Sequence, residues 1–139
     1  MKFLITGGAG SVGLALTSSL LQKGHLVRGL DKKADRLQSL GHKNLELIKG
    51  EIEDLSLVKE AVKGIDVIIH LAWSFSDDPM ELLDGDLRGH IALLDGAVAE
   101  NVSHFIYTST AVVYGKPIRS PITEEDPYLV EVARKPFYG

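Results

Sequence analysis

Cysteine is absent from the 139 residues, which excludes disulfides and thiolate metal sites and agrees with a reducing compartment. No apolar run approaches the roughly 20 residues that span a bilayer, so no transmembrane helix is expected. No secretory leader is read either, because Phe3-Leu4-Ile5 runs straight into a glycine cluster without a cleavage site. Basic charge is also scarce: 15 Lys and Arg stand against 19 Asp and Glu, for a net charge of −4. No block of like charges occurs, and a nucleic-acid footprint is therefore not expected. His25, His42, His90 and His104 are scattered without ligand spacing, so no metal is assigned. These absences together describe a soluble cytoplasmic protein with no membrane or nucleic-acid partner.

What is present is a 45% hydrophobic chain of one-domain length, enough for a packed core. Short apolar runs recur at Phe3 to Thr6, Leu26 to Asp31, Leu45 to Lys49, Val67 to Ala72 and Phe105 to Ser109. Several are almost continuous in Val, Ile and Leu, the habit of parallel strands buried on both faces. Between them lie segments of helical period: Val12, Leu16 and Leu20; Leu55, Val58, Ala61 and Val62; and Leu87, Ile91, Leu94 and Val98. Gly24 and Gly64 stand where two of these helices should stop. The alternation predicts an α/β fold, a Rossmann-like doubly wound parallel sheet of five strands in the order 3-2-1-4-5 with helices on both faces. The expected unit runs over residues 1–115. Residues 116–139 follow as a Pro- and acid-rich segment broken at Pro117, Pro121, Pro127 and Pro136.

The strongest chemical signal is Gly7-x-x-Gly10-x-x-Gly13, placed directly after the first strand and opening the first helix with Ser11 and Val12. Glycine is needed there because the backbone must turn tightly and approach a pyrophosphate, whose charge is met by helix N-terminal N–H groups. A lone glycine motif fits a plain turn equally well. The preceding strand, the following helix and Asp31 at the end of strand two select dinucleotide binding. The Asp31 carboxylate can accept from the adenosine ribose hydroxyls and would repel a 2′-phosphate, which favours NAD. Lys32, Lys33 and Arg36 could offset that repulsion, so NADP stays possible.

With these motifs in order, the chain resembles the extended short-chain dehydrogenases of the NAD-dependent epimerase/dehydratase type, which act mostly on nucleotide sugars. The resemblance covers the whole chain. Gly50-Glu51-Ile52 is similar to a family Gly-Asp-Ile segment, which implies that Glu51 and Ile52 hold the adenine. His70-Leu71-Ala72-Trp73 is similar to a family His-Leu-Ala-Ala segment, which implies that Leu71, Ala72 and Trp73 lie beside the nicotinamide-side ribose. Thr108 to Gly115 resembles the Ser-Ser-x-Ala-x-x-Tyr-Gly end of strand five, and Pro136-Phe137-Tyr138-Gly139 looks like the start of a Tyr-x-x-x-Lys motif. By that likeness Tyr138 would be the general acid/base and Thr110 the residue that orients a substrate hydroxyl while hydride passes to the nicotinamide.

The chain also departs from the family pattern. The lysine expected four residues after Tyr138 would lower the phenol toward neutrality, and this chain ends one residue after it. The expectation is cofactor binding without turnover by this chain alone, a nucleotide-sugar substrate being engaged only if the protein is completed. A non-catalytic dinucleotide sensor and a fragment of a ketone reductase are the competing readings. If strand five forms an edge, its Phe105-Ile106-Tyr107 row is unpaired and homo-oligomers are expected. Asp86 stands where the family often has Asn, and His70 reads as a structural histidine rather than a base.

Overall fold

The computed structural model describes residues 1–74, 76 and 78–129. Five strands, β1 (Lys2–Thr6), β2 (Leu26–Asp31), β3 (Leu45–Lys49), β4 (Val67–His70) and β5 (His104–Tyr107), form one sheet in the order β3-β2-β1-β4-β5. Every neighbouring pair is parallel, as the continuous apolar runs require. The crossovers carry α1 (Ser11–Gln22), α2 (Asp35–Gln38) and α3 (Leu55–Ala61). The last crossover is longer, with α4 (Pro79–Glu81), a π-helical turn over Leu82–Leu87 and α5 (Arg88–Ala99). Two compact units result, Met1–Thr108 and Ser109–Gly139. Among the described residues no helix is long and apolar enough to cross a membrane.

Alternating strand residues feed the two faces of the sheet. Leu4, Leu30 and Ile68 join Val58, Ala61, Val62 and Leu93 in one buried cluster, beneath α3 and α5. Ile5, Val27, Val67 and Ile69 join Leu21 of α1 in the other. Gly24 and Gly64 close the turns after α1 and α3 with φ of +79° and +63°, a conformation that glycine alone adopts at little cost. Two strands are shorter than expected. β4 ends at His70 because the Ala72 N–H turns to the Thr6 hydroxyl at 3.3 Å. β5 then has no partner to pair beyond Tyr107, the last ladder-like bond being Thr108 N–H to the His70 carbonyl at 3.2 Å.

The helix faces also differ from the expected stripes. On α5 and the turn before it, Leu87, Ile91, Leu94 and Val98 are 48%, 48%, 40% and 80% exposed. The buried face is Leu82, Asp86, Gly89, Leu93 and Ala97, one residue earlier. The cause is close packing: a Cβ on Gly89 would stand 2.7 Å from the Ile52 carbonyl oxygen, and one on Gly96 would stand 2.7 Å from Val62 Cγ2. Small residues bring this helix down onto α3, and hydropathy does not register them. On α1 the buried positions are likewise Gly13, Thr17 and Leu21, while Val12 is exposed and Leu16 and Leu20 are half-buried against the second cluster.

A buried cation ties α3 to the sheet. Arg28 of β2 is almost wholly buried, and its Nη1 donates to the carbonyls of Ala61 at 2.7 Å and Lys63 at 2.9 Å. Its Nε lies 2.9 Å from Glu46 Oε2 on β3, to which Lys2 Nζ also comes within 3.2 Å. Burial acts to raise the Glu46 carboxyl, but the bonds from Arg28 and Lys2 prevail and hold it below the ordinary value. Arg28→Met leaves those carbonyls without their donor and is expected to cost about 2 kcal/mol in urea unfolding. Unchanged stability would mean that water replaces the guanidinium without loss.

The second unit is organised locally. Thr110 caps a 3₁₀ turn over Ala111–Tyr114, its Oγ1 accepting from Val112 N at 3.2 Å. Leu129 N–H then donates to the Val113 carbonyl at 2.9 Å, and the Tyr114 and Tyr128 rings lie 5.6 Å apart. Asp126 accepts from Thr123 N at 2.7 Å and pairs with Arg119 at 2.8 Å. Those contacts, the Thr123 bond first, hold its carboxyl below the ordinary value.

Candidate functional site

The order of the strands reverses between β1 and β4: the chain leaves β1 toward β2 on one side and reaches β4 on the other. Such a switch point opens a crevice beyond the carboxyl ends of the strands. Gly7, the first residue after β1, occupies it, its N–H donating to the Leu30 carbonyl at 2.9 Å. A Cβ on Gly7 would lie 2.8 Å from Ala72 N and 2.9 Å from the Leu71 carbonyl carbon, so the segment after β4 can approach only glycine. Gly10 N–H returns to the Gly7 carbonyl at 3.1 Å and closes the loop. A Cβ on Gly13 would run into that carbonyl and stand 2.7 Å from Gly8 Cα, so α1 can begin this close to β1 only with glycine there.

The start of α1 is left open. Gly10 at its N-cap offers no side chain, and no acidic residue occupies the first turn. Ser11 and Val12 are both exposed, and the first N–H groups of a helix carry partial positive charge. At the carboxyl ends of the strands is an open cleft, which Gly7 lines and which Gly10, Ser11, Val12 and Gly13 do not. Its walls are Gly7, the Leu30–Lys32 end of β2, the Gly50–Glu53 turn after β3, the Ala72–Ser74 segment after β4, and Asp86.

The Asp31 carboxylate is fixed in this cleft. Its Oδ2 accepts from Ala9 N in the glycine loop at 3.0 Å, and its Oδ1 accepts from Lys33 N at 2.7 Å. A carboxylate has about four acceptor positions, so both oxygens can still accept from a ligand hydroxyl. The neighbouring Lys32 Nζ lies 3.6 Å from Glu51 Oε1, an exposed pair across the ends of β2 and β3.

Ile52 lines the cleft and is also core, packed with Val58 and Leu93. Ala72 and Trp73 line it. Leu71 does not: its N–H continues to the Thr6 carbonyl at 3.1 Å, and its side chain packs into the α1-side cluster. Thr110 belongs to the second unit, and Tyr138 lies outside the described residues.

Two features of the cleft go beyond the sequence reading, in which Asp86 is marked only as standing where the family often has Asn. Asp86 is 4% exposed, and it accepts from Ser74 N at 3.1 Å and from the Ser74 hydroxyl at 2.6 Å. It thereby holds the Trp73–Ser74 wall. The available signal was the spacing of Leu82, Asp86, Leu93 and Ala97, which puts Asp86 on the inner helix face. Glu53 also lines the cleft. It belongs to the Gly50-to-Leu55 segment that resembles the family's adenine-side turn, and its place in the cleft follows from the turn after β3.

Behind the cleft, His70 at the end of β4 is 2% exposed. Its Nδ1 lies 2.6 Å from Thr6 Oγ1, and its ring stacks on His90 of α5 with centroids 5.1 Å apart. Burial first, and the neighbouring His90 second, push the His70 pKa down to about 4. Burial lowers His90 as well. His70 is thus a neutral, packed group near pH 7.

A parallel sheet in this order, with a glycine loop at the switch point and a fixed acid at the end of β2, defines a dinucleotide-type Rossmann domain. The chain belongs to the NAD dependent epimerase/dehydratase family, whose model matches residues 3–137. It is 31% identical over 134 residues to a UDP-glucose 4-epimerase of Lactobacillus helveticus, covering 91% of this chain and 41% of that protein. It is 32% identical to a cinnamoyl-CoA reductase of Petunia hybrida, over 88% of this chain and 39% of the relative. Among solved structures, a short-chain dehydrogenase/reductase superfamily protein of Agrobacterium tumefaciens with bound NAD superposes with a TM-score of 0.82 at 30% identity. That match covers 99% of this chain and 40% of the other. The chain therefore spans about two fifths of the length of these relatives.

Proposed function

We propose that this chain binds NAD in the cleft at the β1/β4 switch point, as the cofactor half of an enzyme that moves hydride to and from a nucleotide sugar. The observation that carries the reading is Asp31, which lines the cleft with its two oxygens held by Ala9 N of the glycine loop and Lys33 N. Asp31 accepts from the adenosine ribose hydroxyls, and the Ser11 and Val12 N–H groups face the pyrophosphate. Glu51 and Ile52 hold the adenine side, and Ala72 and Trp73 flank the far ribose. When bound, the nicotinamide supplies a hydride acceptor and donor. On the substrate side, Thr110 keeps its hydroxyl proton free to donate, since its oxygen is used as acceptor for Val112 N. Tyr138 takes and returns the proton of the reacting hydroxyl. The UDP-glucose 4-epimerases among the relatives support a nucleotide sugar. The cinnamoyl-CoA reductase supports a second reading, reduction of a carbonyl substrate by the same cofactor half.

Calorimetric titration of the purified chain with NADH and NADPH tests the binding. NADH is expected to bind more tightly, and Asp31→Ala to weaken it about tenfold, the worth of one hydrogen bond to a charged group. Absence of heat with both nucleotides would overturn the reading.

A further inference from the structure

The cleft is short of positive charge for a site that receives phosphates. Four carboxylates, Asp31, Glu51, Glu53 and Asp86, line it, and Lys32 is the one cation among its described lining residues. That lysine is engaged, its Nζ 3.6 Å from Glu51 Oε1. Asp31 cannot swing away from a 2′-phosphate, because backbone N–H groups from both sides hold its two oxygens. Acceptance of a 2′-phosphate would therefore depend on Lys32, the next residue along the chain from the acid that meets the ribose.

We propose that Glu51 is a specificity-determining residue that acts through Lys32, keeping its ammonium on the β3 side of the cleft and so disfavouring NADP. The inference rests on the reading of the cleft as an NAD site. The pair is exposed, with side chains 62% and 53% accessible, so it contributes little to the stability of the fold. Its effect is on the ligand. An ammonium matched to Glu51 offers a 2′-phosphate a compensated charge, and the Glu51 carboxylate adds its own repulsion. With Glu51 neutral, Lys32 turns to the phosphate and offsets Asp31. NADH and NADPH share the adenine that Glu51 adjoins, so any loss there is common to both nucleotides, and the 2′-phosphate effect is read in the ratio of their affinities.

The test is a double-mutant cycle on the full chain, titrated calorimetrically with NADH and NADPH at two salt concentrations. Glu51→Gln is expected to shift the affinity ratio toward NADPH about fivefold, with the shift shrinking as salt rises. Glu51→Asp, which keeps the charge, should retain most of the NADH preference. Lys32→Met should weaken NADPH alone, and adding it to Glu51→Gln should erase the gain. An unmoved ratio in Glu51→Gln, with NADH still bound, overturns the role of Glu51 and leaves the NAD site standing. A gain that survives loss of Lys32 overturns the route through that lysine. A wild-type chain that binds neither nucleotide removes the site and the inference with it.

Discussion

Gly13→Ala is expected to destabilise the chain by about 3 kcal/mol and to abolish NADH binding together. The added methyl would enter the Gly7 carbonyl and press on Gly8, both backbone, so no side chain can rotate aside. Either α1 moves off β1 or the glycine loop opens. The first loses the contacts of Thr17 and Leu21 on the sheet face. The second breaks the Gly10 to Gly7 turn and the Ala9 N to Asp31 bond, and with them the geometry of the cleft. Urea unfolding and NADH calorimetry on the same preparation read both effects. Gly10→Ala is the informative control. A Cβ there would meet only the Gly7 carbonyl oxygen, at 3.2 Å, so folding should survive while the approach of a pyrophosphate is obstructed. A Gly13→Ala chain with native stability would show that helix and strand are not in the contact described.

The different legibility of the elements follows from what hydropathy can register. β2 and β3 begin and end where the apolar runs do, and the order 3-2-1-4-5 follows from alternation with right-handed crossovers. Strand ends set by a side chain were not legible. β4 stops where Thr6 Oγ1 captures Ala72 N, a contact between positions brought together only by the sheet. The inner faces of α1 and α5 were misplaced by one residue for a related reason. Gly13, Gly89 and Gly96 are what allow close approach, and a pattern that counts large apolar residues passes over them. In the cleft, Asp31 was legible because its place is set along the chain by motif spacing. Asp86 on Ser74 depends on how the π-helical turn folds back on the segment after β4, and Lys32 opposite Glu51 on which strand ends become neighbours.

Stability should fall as pH drops from about 6.5 to about 4, by about 3 kcal/mol from His70 alone. The folded-state pKa of about 4 lies below the ordinary 6.5, so the unfolded chain takes up a proton that the folded chain refuses. Above pH 6.5 both states are neutral and the residue contributes no slope. Through the window the unfolded state is favoured progressively, and below the folded value the loss is complete. The physical cause is the site: a 2% exposed ring stacked on His90, with Phe105 and Tyr107 rings around it and Thr6 on Nδ1. A charge there loses its hydration and meets a second imidazole. Carboxylates with lowered pKa, such as Glu46 and Asp126, lose their contribution only at more acid pH, so the upper part of the window isolates the histidines. Between pH 6.5 and 5 urea unfolding should register about 2 kcal/mol of the loss. His70→Gln should flatten that segment of the profile, leaving only the smaller slope from His90. A wild-type profile already flat over this range would mean that the ring takes its proton in the folded state, with water reaching it past Tyr107.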